Sequence, residues 1–188
     1  MFIVDTRSEG ITYRPIKQIN GRPGFSEVFL DNVKVPKENV VGKVGDGWRV
    51  AMTTLNFERL NIGGAFAYAA ASAARHLVEV RRDADTLALL EESLAIKELY
   101  DRMLMLALRG GEIVGPEAAS IKLLASEILD KIYIAAVSKL GPETLVEGDL
   151  FEWSFGYIDS KGYTILSGTS EILRNLLGEL VLGLPKGV

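Results

Sequence analysis

Two periods of apolar residues divide the chain. Over residues 1–47, short β-rich runs at Met1–Asp5, Ile11–Ile16 and Ser26–Leu30 are separated by Ser8-Glu9-Gly10, Asn20-Gly21-Arg22-Pro23-Gly24 and Asp31-Asn32. Those separators are turn formers, because glycine reaches positive φ, proline presets φ, and Asn and Asp bond to their own backbone. The stretch therefore predicts a piece of sheet. It opens directly on Phe2-Ile3-Val4 with no leading turn, and two or three strands are marginal alone in water. A remnant of a larger sheet in a longer parent is the expectation.

From Trp48 onward the period is helical. A first helix is predicted from Gly45-Asp46-Gly47, capped by Asp46 or Gly47, to about Arg82, with an alanine-rich surface over 65–71 suited to close helix approach. A second follows Asp83-Ala84-Asp85, sets Ile96, Leu99, Tyr100, Met103, Leu106 and Ala107 on one stripe, and stops at Gly110-Gly111. The third starts at Gly115-Pro116-Glu117, with proline in the first turn, and groups Ile121, Leu124, Ala125, Ile128, Ile132 and Ala135 before Gly141-Pro142. A loop-rich passage is expected from there to Ser167, with a helical turn near Phe151–Tyr157. The last helix, Thr169 to Leu182, carries Leu173, Leu176, Leu177, Leu180, Val181 and Leu184 at helical spacing, with Gly183 and Pro185 as stops. The predicted fold is mainly α: an antiparallel four-helix bundle over 48–188 behind a short β segment at 1–47.

Composition narrows the chemistry. A chain of 188 residues with 48% hydrophobic positions can bury one good core. Lys and Arg number 21 against 25 Asp and Glu, which leaves no broad basic face for a nucleic-acid backbone. There is no cysteine and one histidine, His76, so disulfides, thiolate nucleophiles and Cys or paired-His metal sites are excluded, and no metal is expected. A lone histidine at helical spacing reads as a packed or surface residue. The start Met-Phe-Ile-Val-Asp is no signal peptide, and the longest apolar run, Ala65 to Ala74, is too short to span a bilayer. A soluble, cytoplasmic protein is expected.

General motifs add little: there is no dinucleotide glycine fingerprint, P-loop, zinc helix or nucleophile elbow. Gly21-Arg22-Pro23-Gly24 is a turn, since no helix follows it. Three segments carry more. Asn32-Val33-Lys34-Val35-Pro36-Lys37-Glu38-Asn39-Val40-Val41-Gly42 leads into Gly45-Asp46-Gly47-Trp48. Leu55-Asn56-Phe57-Glu58-Arg59-Leu60 lies within the first helix. Ser167-Gly168-Thr169-Ser170-Glu171-Ile172-Leu173-Arg174-Asn175, continuing to Val181-Leu182-Gly183-Leu184-Pro185, closes the chain. In this order and spacing they resemble the acyl-CoA dehydrogenase family, from the end of its middle β-domain through its C-terminal helical domain.

The resemblance implies an α,β-desaturation of an acyl-CoA thioester, with FAD as cofactor, electron-transfer flavoprotein as acceptor, and a homo- or hetero-oligomer built through the bundle. The reaction needs an ionised carboxylate near the acyl chain to take the α-proton. The commonest family position for that glutamate, just before Gly-Thr, is Ser167 here, and a neutral hydroxyl needs an activating partner that the sequence does not display. Other members place the base in a Glu-Arg pair on the first helix, which Glu58-Arg59 matches. Read without the resemblance, Glu58 is a solvated carboxylate paired with its neighbour.

Gly168, Thr169 and Glu171 match positions that contact the FAD adenosine portion, where a plain helix-capping role competes. Gly141 matches one glycine of a family Gly-Gly pair. Asn56, Arg59 and Ser167 match the acyl and pantetheine channel. Arg81-Arg82-Asp83-Ala84-Asp85 lacks the Phe and Gly of a family segment that reaches a neighbouring subunit's FAD, and Arg81 and Arg82 read as solvated helix-end charges. By itself the chain is expected to bind FAD poorly and to be inactive. A non-catalytic partner subunit or oligomerisation module, and a flavin-dependent oxidase or monooxygenase, are the alternatives.

Overall fold

In the computed structural model, which describes residues 1–110, 116–146 and 148–186, the chain divides into two compact units, Met1–Thr54 and Leu55–Val188. The first unit is built on one antiparallel hairpin of β1 (Ile11–Ile16) and β2 (Phe25–Leu30), in a register that pairs Ile11 with Leu30 and Ile16 with Phe25. Asp31 N–H closes onto the Gly10 carbonyl at 2.9 Å, fixing the open end of the ladder. The run expected as a strand at Met1–Asp5 contributes a single bridge between Phe2 and Val40, supported by the Ile3 N–H on the Asn39 carbonyl. No residue of this unit is buried within the chain.

The second unit is helical. Helix α1 (Gly47–Val80) enters it with small residues on one face: Ala67, Ala70, Ala71 and Ala74, spaced 3, 4 and 7 apart, are at most 1% exposed. Gly63 lies one turn earlier, where an added Cβ would stand 2.7 Å from the backbone nitrogen of Lys122, so the two backbones meet directly at that point. Helix α2 (Ala84–Leu108) starts on a capping box: Thr86 N–H donates to Asp83 Oδ1, and Asp83 N–H donates to Thr86 Oγ1, both at 3.0 Å. The Lys139 ammonium bridges Asp83 and Asp85 at 2.9 Å each, tying the end of the next helix to this start.

Helix α3 (Ala118–Leu140) is the most buried element and touches α2, α4 (Phe151–Tyr163) and α5 (Ser170–Leu180). Ile128, Leu129 and Ile132 meet Leu77, Ile96 and Trp153 in the main core. Ala119 and Leu123 meet Leu173 in a smaller cluster at the α5 end. Burying each large aliphatic side chain contributes about 1.5–3 kcal/mol, so the α3 line supplies much of the unit's cohesion. Gly141, at φ +72°, ends α3, and a 3-10 turn over Gly141–Leu145 follows.

The mainly α expectation holds, with corrections of detail. The passage expected as loop around a helical turn at 151–157 is the full helix α4. Its buried residues are Trp153, Ser154, Gly156 and Ser160, a helical face of small and polar side chains that an apolar count does not register. An added Cβ on Gly156 would strike the Tyr133 ring, and Ser160 Oγ donates to Asp130 Oδ1 at 2.7 Å, so this face packs by fit and hydrogen bonding. The expected stripes are also only partly inside the chain. Ile96 is buried, but Leu99, Leu106, Leu124, Leu180 and Leu184 are exposed. Gly111 and Gly115, expected at the ends of α2 and α3, lie outside the described residues. Among the described residues no helix is long and apolar enough to cross a membrane, and no cluster of ligating side chains could hold a metal ion.

Candidate functional site

Within the second unit, α1 brings the Asn56–Glu58–Arg59 turn to the segment that links α4 to α5. That segment is unusual in its backbone. Ser167 lies at φ +58° and Gly168 at φ +106°, two successive positive values, before Thr169 returns to an extended conformation as the N-cap of α5. A left-handed serine costs about 1–3 kcal/mol and persists only where its surroundings fix it. Here they do so from three sides. Ser167 Oγ donates to Glu58 Oε1 at 2.9 Å across 109 positions of sequence. The Lys122 ammonium donates to the Gly168 carbonyl at 2.8 Å. Leu173 packs so closely that a Cβ on Gly168 would stand 3.0 Å from its Cδ2.

The sequence displayed no activating partner for Ser167; the structure supplies one, and it is the Glu58 carboxylate. The geometry runs in the direction that serves Glu58: the hydroxyl donates and the carboxylate accepts, which fixes the orientation of the carboxylate. Glu58 is half-buried. Arg59 is not its surface partner. The guanidinium is buried, Nη1 donates to Asn56 Oδ1 at 3.0 Å, and Nε has no partner among the described residues. Asn56, Glu58, Arg59, Ser167 and Gly168 are therefore brought together, and the cluster offers a hydrogen-bonded carboxylate beside a spare guanidinium N–H.

Thr169 and Glu171 sit at the α5 start. Thr169 Oγ1 accepts from Ile172 N–H at 3.3 Å, a capping bond. Its own backbone N–H and the Thr169 hydroxyl hold the Glu171 carboxyl below the ordinary glutamate range. These residues, with Glu127, Asp130, Lys131, Thr164, Ile165 and Ser170, line a cleft of about 380 Å³. Ser170 is buried, and its Oγ has no hydrogen-bond partner among the described residues. Gly141 is not joined to the cluster by any hydrogen bond between described residues. Its N–H reaches the Val137 carbonyl, and its own carbonyl accepts from Thr144 Oγ1 at 2.9 Å, bonds that close α3.

Lys122 was missed from the sequence. It has no exposed surface, and burial pushes its amine below the ordinary lysine range, with Glu127 acting in the opposite sense. The available signal was register. Ala118, Ala125 and Leu129 lie 4, 3 and 7 positions away on α3, all buried, so a charged side chain falls on a buried line. The single histidine stacks on Trp153 with ring centroids 5.0 Å apart and pairs with Glu152 at 3.2 Å, as a packed surface residue does.

Comparison with known proteins places this arrangement. Residues 45–182 match the family model for the acyl-CoA dehydrogenase C-terminal domain, a span that holds every residue of the cluster. The chain belongs to the acyl-CoA dehydrogenase family. It is 35% identical over 195 residues to acyl-CoA dehydrogenase FadE34 of Mycobacterium tuberculosis, covering 98% of this chain and 26% of that protein. It is 33% identical over 199 residues to acyl-CoA dehydrogenase IpdE1 of the same organism, covering 98% and 50%. The fold is like that of the Tcur3481-Tcur3483 steroid ACAD, at a TM-score of 0.80 and 20% identity over 99% of this chain and 52% of that one. The chain thus spans a quarter to a half of the length of these curated relatives. In acyl-CoA dehydrogenase terms, the Glu58 cluster lies wholly within the span that matches the C-terminal domain.

Proposed function

We propose that this chain forms part of a flavin-dependent acyl-CoA dehydrogenase and that Glu58 is the base that takes the α-proton of the thioester. The observation that carries the reading is the Ser167 hydroxyl on the Glu58 carboxylate. The position where most of the family keeps its glutamate is occupied by a donor, and that donor serves the carboxylate on the first helix. In the proposed reaction the α C–H bond breaks toward Glu58 Oε2, its electron pair forms the α,β double bond, and the β-hydrogen leaves with its pair. FAD, when bound, is the acceptor of that pair.

The remaining residues prepare the proton transfer. Ser167 orients the carboxylate through its hydroxyl, leaving Oε2 for the proton. On the family resemblance Asn56 and Arg59 line the acyl and pantetheine channel; Asn56 Oδ1 holds the guanidinium through Nη1, and Arg59 Nε is unpaired among the described residues. The residues at the α5 start suit a polar part of the cofactor: Ser170 Oγ is buried with a hydrogen bond to spare, in a cleft whose lining mixes Lys131 with carboxylates and hydroxyls. On that fit Gly168, Thr169 and Glu171 hold the adenosine portion of FAD, and Gly141 joins them on the family resemblance alone. The stretch 1–47 then belongs to the middle β-domain and 48–188 to the C-terminal domain, within a homo- or hetero-oligomer that passes electrons to electron-transfer flavoprotein.

The test is Glu58→Gln in the flavin-loaded enzyme. Desaturation of acyl-CoA is expected to fall by at least about a thousandfold while bound flavin is retained. Turnover within tenfold of the parent would remove Glu58 from the role.

A further inference from the structure

We propose that Lys122 is a positioning residue for Glu58: its side chain fixes the Gly168 carbonyl, that bond fixes the Ser167–Gly168 turn, and the turn delivers the Ser167 hydroxyl to the carboxylate. The inference rests on the reading of Glu58 as the base.

Three observations carry it. First, a lysine is a costly choice at this place. Taking an ammonium out of water costs several kcal/mol unless it is paired, and a methionine of similar length would lie on the same buried line without that cost. Lys122 is fully buried, and its described hydrogen bond is to the Gly168 carbonyl at 2.8 Å. Second, that carbonyl belongs to the residue immediately after the strained serine. In the turn of Ser167 at φ +58° and Gly168 at φ +106°, the one side chain is the serine hydroxyl that is itself being delivered to Glu58, since Gly168 has none and a Cβ there would press on Leu173. Third, the α1 and α3 backbones are held together one turn beyond Glu58. An added Cβ on Gly63 would stand 2.7 Å from Lys122 N and 3.0 Å from Lys122 Cα. The lysine therefore works from a fixed base, and its ammonium reaches the turn as a strut. The path Lys122 Nζ to Gly168 O, and Ser167 Oγ to Glu58 Oε1, joins α3, the α4–α5 link and α1 through two hydrogen bonds.

A strut of this kind differs from a general packing role in what its loss changes. Lys122→Met keeps the volume and removes the donor. In the flavin-loaded enzyme it is expected to lower kcat about ten- to a hundredfold, with the acyl-CoA KM and bound flavin within about twofold of the parent. Ser167→Ala should produce a similar fall. The double variant should be no slower than the worse single one, because both act through one contact. Lys122→Gln, which retains an N–H donor but reaches one bond less far, should recover part of the loss.

A second readout needs no turnover. In the 188-residue chain, the side-chain carboxylate ¹³C resonance of Glu58, assigned by its disappearance in Glu58→Gln, should move to one common position in Lys122→Met, Ser167→Ala and the double variant. In Lys122→Gln it should lie between that position and the parent's. Multiplying losses in the double variant, or a Glu58 resonance that Lys122→Met leaves in place, would overturn the strut. If Glu58→Gln retains turnover, the base assignment fails instead, and the resonance positions alone then decide whether Lys122 governs the Ser167–Glu58 contact.

Discussion

The two units draw on similar apolar residues and use them differently. Unit one exposes Phe2, Ile3, Phe25, Val28 and Leu30 and buries nothing within the chain, so its hairpin rests on backbone pairing and turn geometry. Unit two buries Leu77, Ile96, Ile128, Leu129, Ile132, Trp153 and Leu173 behind faces of alanine, glycine and serine that let helices close up. The contrast teaches where shape is specified. A ladder fixes register locally, whereas the placement of Glu58 against Ser167 depends on helices meeting at fixed distances, and small residues set those distances.

The largest effect should come from the closest approach. Gly63→Val puts a Cβ against the α3 backbone at Lys122, where neither side can give, and is expected to cost about 3 kcal/mol or more, read from urea unfolding followed by helical circular dichroism. Removing one cap should do less. Asp83→Ala loses both the capping box and the Lys139 contact, lowering Tm at neutral pH by less than Gly63→Val does.

That loss also has a pH signature. The Lys139 ammonium, and then the Thr86 N–H, hold the Asp83 carboxyl below its ordinary value. A folded pKa below the unfolded one means that the stabilisation is fully present above the ordinary aspartate value near 3.9 and is lost as pH falls through the lowered folded value. The gap in Tm between the parent and Asp83→Ala should therefore close only in acid, below pH of about 4. A gap that stayed constant down to pH 2 would contradict the ion pair. The smallest effect belongs to the other unit: Leu30→Ser, at a side chain 68% exposed, should leave the same unfolding transition within about 0.5 kcal/mol. A larger shift would mean that the hairpin's apolar face contributes to the helical unit's stability.

Much of this was legible from pattern. The hairpin strands, the Asp83 start of α2, the Gly141 stop of α3 and the Thr169 cap of α5 all follow from local steric and hydrogen-bonding rules, and each is where those rules put it. Helix α4 was not legible, because its inward face is Ser154, Gly156 and Ser160 around a single tryptophan, and it packs on Tyr133 and Asp130 rather than by a hydrophobic stripe. The candidate site was half legible. Residue type and motif picked out Glu58, Arg59 and Ser167. The Ser167–Glu58 bond joins positions 109 apart, and the Lys122–Gly168 bond joins positions 46 apart, distances at which periodicity carries no information. The exposed ends of the α2 and α5 stripes, at Leu106 and Leu180, mark where periodicity found an apolar face without showing what covers it.

The central claim is that the α-proton passes to Glu58, and proton exchange tests it without requiring complete turnover. A 3,3-dimethylacyl-CoA has a quaternary β-carbon with no hydride to give, so in deuterated water its α-hydrogens can only exchange. Followed by proton NMR, the flavin-loaded parent should wash deuterium into the α-position, Ser167→Ala should do so more slowly, and Glu58→Gln should reduce the rate to that of the thioester alone. Exchange by Glu58→Gln at the parent rate would show that another group takes the proton.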